Sequence, residues 1–115
     1  CHVIEFRDQS WYSPDVYDLL SRYQVTLCIV SSGRLQPEIV VTSNLAYFRF
    51  HGLTGGYRYR YSDDELKRWA EIITPLKVEE AYIYFNNDYR AQAIFNARKL
   101  RELLAASAEG ESSAL

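Results

Sequence analysis

The sequence has no methionine among its 115 residues, and it has only two cysteines. Two cysteines cannot form a disulfide framework, so a reducing cytoplasm is the expected compartment. The formal net charge of −2 excludes a globally basic nucleic-acid binder. No run approaches the roughly 18 apolar residues of a membrane span, so we predict no membrane partner. Because the chain starts at Cys1 instead of methionine, we expect it to be part of a longer protein.

Motifs that indicate a known chemistry are also missing. The chain has no Walker loop, no dinucleotide-binding glycine fingerprint, no Gly-x-Ser-x-Gly elbow and no His-Glu-x-x-His helix. Cys1 and His2 begin one predicted strand, whereas His51 ends another. A five-residue strand is about 17 Å long, while zinc ligands lie about 2 Å from the metal. We therefore predict no cofactor and no metal. A carboxylate site on Glu5, His51 and Asp88 is the alternative, and no ligand spacing demands it.

Strands and helices alternate along the chain. Apolar and aromatic runs predict four strands, over residues 3–7, 25–30, 46–51 and 81–85. Ser13 followed by Pro14 starts a first helix, and the capping box from Ser62 to Glu65 starts a second. A third helix follows the fourth strand, and residues 34–44 form a long irregular connection. Strands that alternate with helices build parallel sheets, so the predicted fold class is α/β.

Side chains alternate between the two faces of a strand, which gives this sheet an apolar face and a polar face. The polar face carries, in chain order, Glu5, Arg7, Arg49, His51 and Asn86. Charges in the middle of a sheet covered by helices are costly unless they are paired. A closed parallel barrel avoids this cost, because its inward face gathers such side chains at the carboxyl-terminal mouth. In (β/α)8 barrels that mouth is where active sites are built.

Several sequence blocks occur in one characteristic order. They are His2-Val-Ile-Glu-Phe-Arg7, Leu27-Cys-Ile-Val30, Tyr47-Phe-Arg-Phe-His-Gly52 and Tyr82-Ile-Tyr-Phe-Asn-Asn-Asp88. Together they resemble the C-terminal half of the YecE-like family, the domain-of-unknown-function family 72. The sequence departs from the family pattern near Ser31-Ser32, where an acidic residue is expected and none is present. The resemblance brings no established reaction with it.

The resemblance implies a definite architecture. The chain would be the C-terminal half, strands five to eight, of a TIM-type (β/α)8 barrel with parallel strands and covering helices. Residues 1–104 would form this partial TIM-barrel domain, the last four βα units of a longer domain. We expect the small and polar residues 105–115 to form a flexible tail.

The first functional hypothesis is an enzyme that acts on a small anionic or phosphate-containing substrate at the barrel mouth. Arg7 and Arg49 would bind the anion, because a guanidinium group matches the geometry of carboxylate and phosphate. His51 or Glu5 would transfer protons. The other predicted substrate contacts are Trp11, Asn86, Asn87 and Asp88.

Each of these assignments has a structural alternative. Glu5 and Arg7 can form an internal ion pair that stiffens the fold, and Arg49 and His51 a hydrogen-bonded structural pair. Asp88 is the expected N-cap of the last helix, whose first amides still offer an anion site. Core packing is the alternative for the tryptophan that follows the first strand.

A loop of alternating tyrosine and arginine, residues 57–61, supports a second hypothesis. It contains Arg58 and Arg60, and it lies in a stretch from Ile39 to Ser62 without an acidic residue. Such a pattern combines base stacking with phosphate contacts, as in single-strand binders. The alternative function is therefore a nucleotide or single-stranded nucleic-acid binding module. A loop that packs on its own barrel is the competing structural interpretation.

The predicted sheet has two open parallel edges, and open edges invite pairing. We expect the N-terminal half of the barrel, or self-association, to close the sheet. Without either, the chain is predicted to be poorly soluble. A small anionic ligand is the partner that the polar face favours.

Overall fold

The computed structural model of the chain describes residues 2–33, 35–55 and 58–113. Its strands are β1 (Val3–Ile4), β2 (Thr26–Ser32), β3 (Leu45–Gly52) and β4 (Glu80–Phe85). Its helices are α1 (Pro14–Arg22), α2 (Asp63–Ile73) and α3 (Gln92–Ser113), with short 3₁₀ turns at Gln9–Trp11 and Tyr89–Ala91. None of the helices in these ranges is both long enough and apolar enough to cross a membrane.

The strands of the described residues pair side by side in chain order, and every pairing is parallel. The register places Cys28 of β2 opposite Tyr47 of β3, and Arg49 of β3 opposite Tyr84 of β4. All carboxyl ends of the strands therefore lie at the same edge of the sheet. The predicted α/β class with a parallel sheet is confirmed.

The apolar face of the sheet carries the main core. The buried ring of Phe50 stacks on Phe85 with centroids 4.6 Å apart, and Trp69 of α2 meets it edge-on at 4.9 Å. Such aromatic pairs add about 0.5–1.5 kcal/mol each beyond the area that they bury. Around this ring lie buried residues from strands, helices and the loop before α2: Ile29, Ala46, Phe48, Tyr61, Leu66, Ala70, Ile73 and Leu100.

The first helix covers the same face. Leu27 lies two residues before Ile29 and therefore points to the same side of β2, where it packs with Phe6 and with Leu20 of α1. Only part of the apolar stripe of α1 is buried, because Leu19 and Tyr23 are exposed. All three helices of the described chain thus lie on one side of the sheet.

The predicted helix starts are confirmed. The Ser13 hydroxyl accepts a hydrogen bond from the Val16 N–H, with Pro14 in the first turn. Ser62 and Glu65 form a reciprocal capping box at the start of α2. A cap of this kind is worth about 1 kcal/mol. Local sequence is therefore sufficient to place these two boundaries.

The first strand is shorter than predicted. We expected a strand over residues 3–7, but only Val3 and Ile4 pair with β2. The Asp8 carboxylate accepts hydrogen bonds from the N–H and the hydroxyl of Ser10, which starts the 3₁₀ turn at Gln9–Trp11. This turn draws the chain away from the sheet soon after Ile4, so the side chain of Glu5 lies at the end of the strand.

The last helix is longer than predicted. We expected a flexible polar tail over residues 105–115, but α3 continues to Ser113. Residues 105–113 are therefore helical, and the flexibility of this segment stays a prediction. The apolar stripe ends at Leu104, yet alanine and glutamate dominate the next seven residues, and both have high helix propensity.

A buried amide network ties the loop before α2 to α3. Asn96 Oδ1 accepts a hydrogen bond from the Tyr61 N–H at 3.1 Å, and Asn96 Nδ2 donates to the Tyr61 carbonyl at 3.0 Å. Asn87 Nδ2 donates to Asn96 Oδ1 at 2.8 Å and to the Tyr59 carbonyl at 2.9 Å. The two asparagines thus satisfy backbone groups of a segment that belongs to no strand or helix.

Replacing Asn96 with alanine should destabilise the intact protein by about 3 kcal/mol. The change leaves the Tyr61 N–H and carbonyl without their side-chain partner and removes one of the two acceptors of Asn87 Nδ2, and each unsatisfied buried group costs about 1–3 kcal/mol. Urea unfolding measures the change. Arg98→Ala, an exposed position on the same helix, is the control and should change stability by less than about 0.5 kcal/mol. Equal effects of the two variants would contradict a stabilising role for the network.

Candidate functional site

The polar face of the sheet converges on the carboxylate of Glu5. Its Oε2 atom lies 3.0 Å from Arg7 Nε, and its Oε1 atom accepts a hydrogen bond from Arg49 Nη1 at 3.0 Å. His51 Nε2 lies 3.4 Å from both carboxylate oxygens. Glu5 follows β1 and its partners Arg49 and His51 lie on β3, so the carboxylate reaches across β2. The structure therefore brings together four of the five residues that the alternation pattern assigned to one face.

Burial differs sharply among these charges. The Glu5 side chain is only 12% exposed, whereas Arg7 is 78% exposed and Arg49 is 31% exposed. A carboxylate removed from water needs a partner that is also held in place, and Arg49 supplies one. The Arg7 ion pair is open to solvent and contributes at most about 1 kcal/mol. Arg49 is therefore the stabilising partner, and Arg7 is the guanidinium group accessible to a ligand.

Arg49 is fixed on its other side by Asn86. The Nε and Nη2 atoms of Arg49 donate to Asn86 Oδ1 at 3.3 and 3.2 Å. The Asn86 N–H donates to the Phe50 carbonyl at 2.8 Å, which extends the pairing of β3 and β4 by one residue. With Glu5 on one side and Asn86 on the other, the geometry favours a positioning role for Arg49.

Cys28 is a further member of this cluster, although it was not among the predicted site residues. Its Sγ atom lies 3.6 Å from Glu5 Oε1. Burial raises the pKa of the thiol to about 12, and the neighbouring Glu5 carboxylate adds to the shift. Cys28 is therefore a protonated, unreactive thiol beneath the carboxylate. The strand register identifies Cys28 as a residue of the polar face, because Cys28 of β2 lies opposite Tyr47 on the polar face of β3.

A cleft of about 570 Å³ opens at the carboxyl ends of β1, β2 and β3. Of the predicted site residues, Glu5, Arg7 and His51 line it. Its other lining residues were not predicted, because they lie in segments without a chemical signature: Phe6, Val30, Ser32, Gly33, Leu35, Gly52 and Leu53. The cleft therefore combines a charged wall with a small-residue and apolar wall.

Gly33 marks a close approach beside the cleft. A Cβ atom on Gly33 would lie 1.9 Å from the Leu53 carbonyl oxygen, a distance that no side chain tolerates. The segments that follow β2 and β3 therefore touch through their backbones. Glycine is required here by contact distance, and this contact shapes one side of the cleft.

Two predicted ligand contacts make packing or hydrogen-bond contacts within the fold. Asn87 is fully buried, and its side chain donates a hydrogen bond to the loop before α2. Its Oδ1 atom has no hydrogen-bond partner among the described residues. Trp11 is 54% exposed and stacks on the Phe6 ring with centroids 5.4 Å apart. Because Phe6 lines the cleft, Trp11 packs against a residue of the cleft wall.

Asp88 is not the side-chain cap that was predicted. It is exposed, and its carboxylate makes no capping hydrogen bond, because the 3₁₀ turn Tyr89–Ala91 separates it from α3. Within the described ranges no group of three or more His, Cys, Asp and Glu residues is arranged to hold a metal ion.

The tyrosines of the predicted stacking loop face inward. Tyr57 lies outside the described residues. The Tyr61 hydroxyl is buried, 3.0 Å from Ser31 Oγ, and it accepts a hydrogen bond from the Gly52 N–H. The Tyr59 hydroxyl donates to the Glu65 carboxylate at 2.7 Å. Packing on the chain's own fold, the structural interpretation of this loop, is therefore correct for Tyr59 and Tyr61, while the arginines of the loop are exposed.

Comparison with known proteins places the chain among relatives about twice its length. A family model described as "Protein of unknown function DUF72" matches residues 1–114. The UPF0759 protein YunF of Bacillus subtilis is 26% identical, over 89% of this chain and 46% of that protein. The crystal structure of the DUF72 family protein TM1631 from Thermotoga maritima superposes with a TM-score of 0.85 and 33% identity, over 90% of this chain and 45% of that one.

A DUF72 family protein from Enterococcus faecalis, EF0366, gives a TM-score of 0.80 and 28% identity, over 90% of this chain and 48% of that one. The chain thus spans about half the length of the relatives that it matches.

The raised pKa of Cys28 predicts a thiol that resists alkylation. At pH 8 a thiol with an ordinary pKa is about one-tenth thiolate, whereas a pKa of about 12 leaves about one in ten thousand. We expect iodoacetamide to label Cys28 at least 100-fold more slowly in the folded intact protein than in the same protein unfolded in urea. Mass spectrometry of the Cys28 peptide measures the rate. Equal rates would contradict the buried, protonated thiol.

The same shift makes stability depend on pH. Because the pKa is higher in the folded than in the unfolded protein, its stabilising contribution is complete below about pH 9 and is lost as the pH rises toward 12. Relative to Cys28→Ser, the unmodified protein should lose up to about 1.4 kcal/mol per pH unit in this window.

Proposed function

Since this chain belongs to the DUF72 family of proteins of unknown function, we propose that it binds a small anionic ligand in the cleft at the carboxyl ends of β1–β3. We propose further that it does so as the C-terminal half of a (β/α)8 barrel. The observation that carries the ligand proposal is the charged wall of this cleft, where Arg7 and His51 meet the Glu5 carboxylate and Arg49 pairs with the same carboxylate next to the cleft. The Glu5 carboxylate carries one negative charge and its two arginine partners carry one positive charge each, so the cluster has a net positive charge that favours an anion.

Arg7 is the residue that meets the ligand first. Its Nε atom is held by Glu5, and its side chain is 78% exposed at the cleft wall. A guanidinium group anchored through Nε still presents its two terminal nitrogens in the planar arrangement that suits carboxylate and phosphate. The Glu5 contact restricts the rotamers of Arg7, so less conformational entropy is lost when a ligand binds.

His51 and Glu5 form the pair that would move a proton if the bound anion is a substrate. When Nε2 of His51 carries the proton that Glu5 accepts, Nδ1 keeps a lone pair and becomes the basic atom of the ring. A carboxylate that orients an imidazole in this way is the arrangement used for general base catalysis in many enzymes. An enzyme that transfers a proton to or from a small anionic substrate is therefore the reaction class we propose.

The half-barrel proposal has independent support. Four parallel strands in chain order, with their helices on one face, are what one half of a (β/α)8 barrel requires. The opposite face carries exposed rings, Tyr82 and Tyr84, and β1 exposes Val3 and Ile4. The relatives have about as much additional chain as a second half of the barrel needs.

Nucleic-acid binding through stacked tyrosines of the loop 57–61 has less support. That mechanism needs exposed rings, whereas Tyr61 is buried and Tyr59 is bound to Glu65. The anion cleft is therefore the function we favour.

The half-barrel proposal predicts hydrogen-exchange protection on both edges of β4 in the intact protein. One set of alternating amides in Glu80–Phe85 faces β3, and the other faces the position of the next strand. A closed barrel should protect all of them by a similar factor, measured by NMR-detected exchange. Protection of alternate residues only would show that β4 is an open edge. Protection that weakens on dilution would identify a second copy as the closing partner.

The ligand proposal predicts that Arg7→Gln weakens binding of malonate or inorganic phosphate at least 10-fold, because one charge-assisted contact is worth about 1.5–3 kcal/mol. Titration calorimetry of the intact protein at low salt measures the affinity. His51→Gln removes the imidazole from the cleft wall and should also weaken binding. Arg22→Gln, an exposed arginine at the end of α1, is the matched control and should bind as the unmodified protein does. Unchanged affinity in Arg7→Gln and His51→Gln would refute the cleft as the binding site.

A further inference from the structure

We propose that this chain has a second anion site, separate from the cleft, that binds a phosphate group between Arg58 and Arg90. The guanidinium carbon of Arg58 lies 5.6 Å from the centre of the Tyr89 ring, and that of Arg90 lies 5.1 Å from the same centre. None of these three residues lines the cleft. The two arginines come from different segments, the loop before α2 and the connection between β4 and α3, and they converge on one ring.

The backbone of the turn that carries Arg90 adopts an unfavourable left-handed conformation. Arg90 has φ 54° and ψ 35°, and Ala91 has φ 59°. Left-handed conformations are unfavourable for residues other than glycine, and they persist only where the surroundings enforce them. The Ala91 N–H donates to the Asp88 carbonyl at 3.1 Å and closes this turn. Residues in such strained conformations cluster at ligand-binding sites. Here one of the two strained residues, Arg90, places its guanidinium group over the Tyr89 ring.

The Arg58 side is anchored through its backbone. The Gln92 carboxamide, with its nitrogen facing the loop, donates to the Arg58 carbonyl at 2.9 Å and to the Tyr59 carbonyl at 3.0 Å. Asn87 donates to the same Tyr59 carbonyl at 2.9 Å. Residues at the start of α3 and at the end of β4 therefore fix the position from which Arg58 reaches Tyr89. Neither arginine depends on the other for its placement.

The charges of the site favour a phosphate over a carboxylate. Two guanidinium groups near one ring repel each other, and the ring offsets only part of that repulsion. Arg90 makes no ion pair with any described residue, and the exposed carboxylate of its turn, Asp88, makes none either. A carboxylate satisfies one guanidinium group. A phosphate carries up to two negative charges and enough oxygens to accept hydrogen bonds from both.

Inorganic phosphate and a short oligothymidylate are the probes that test this site. Titration of the intact protein at low salt should show binding of at least one of them. Arg58→Gln and Arg90→Asn should each weaken that binding at least 10-fold, and the double variant should abolish it. Asparagine tolerates the left-handed conformation, so Arg90→Asn removes the charge without straining the backbone. Arg22→Gln, an exposed arginine at the end of α1 and outside this loop, is the control and should bind within twofold of the unmodified protein.

The two probes identify the source of the phosphate. Loss of inorganic phosphate binding in the variants indicates a small phosphorylated ligand, whereas loss confined to the oligothymidylate indicates a nucleic-acid backbone. Either result supports the site. Binding of neither probe at millimolar concentration would overturn it, and so would equal affinity in the double variant. Binding that Arg7→Gln abolishes and the double variant keeps would also overturn it, while supporting the cleft.

Discussion

The buried carboxylate of Glu5 is the interaction on which the polar face depends. It follows β1, contacts the thiol of β2, and pairs with the arginine and the histidine of β3. Through Arg49 the network extends to Asn86 at the end of β4. Every strand of the described sheet is therefore connected to one nearly buried negative charge. A carboxylate that is 12% exposed is stable only with such partners, because desolvation is otherwise too costly.

This dependence explains how scaffold and site coincide. The contacts that compensate the buried charge also hold Arg7 and His51 at the cleft wall. The structural ion pair and the proposed ligand site use the same residues, so the two interpretations are compatible. The inner pair, Glu5 with Arg49, stabilises the face, and the outer groups, Arg7 and His51, remain available for chemistry. Around Tyr89, likewise, the side-chain amides of Asn87 and Gln92 position the backbone of the loop before α2, and the exposed Arg58 and Arg90 carry the charge.

The sequence was least informative where a residue's position depended on a distant partner. Asn87 was expected to face a substrate because it follows a strand, but it lies against a carbonyl of a loop 28 residues earlier in the chain. The tyrosines of loop 57–61 alternate with arginines as in a stacking surface, yet Tyr61 is drawn into the core by Ser31 and Gly52. Asp88 fits the N-cap rule, but the turn with Arg90 and Ala91 in left-handed conformations shifts the start of the helix to Gln92. Composition and spacing describe neighbours along the chain, and these three outcomes were decided by neighbours in space.

Sequence alone determined the order of the strands and helices, their parallel class, the caps of α1 and α2 and the membership of the polar face. These properties follow from local causes: side-chain alternation with period two, capping chemistry and the requirement that alternating strands and helices cross over in one direction. Only the tertiary structure decided that Glu5 reaches across β2 to Arg49 and that Cys28 lies beneath it. It also decided that Gly33 touches Leu53 and that two arginines share Tyr89. Each of these contacts joins residues far apart in the chain, and their distances depend on register, loop path and burial, which no local pattern encodes.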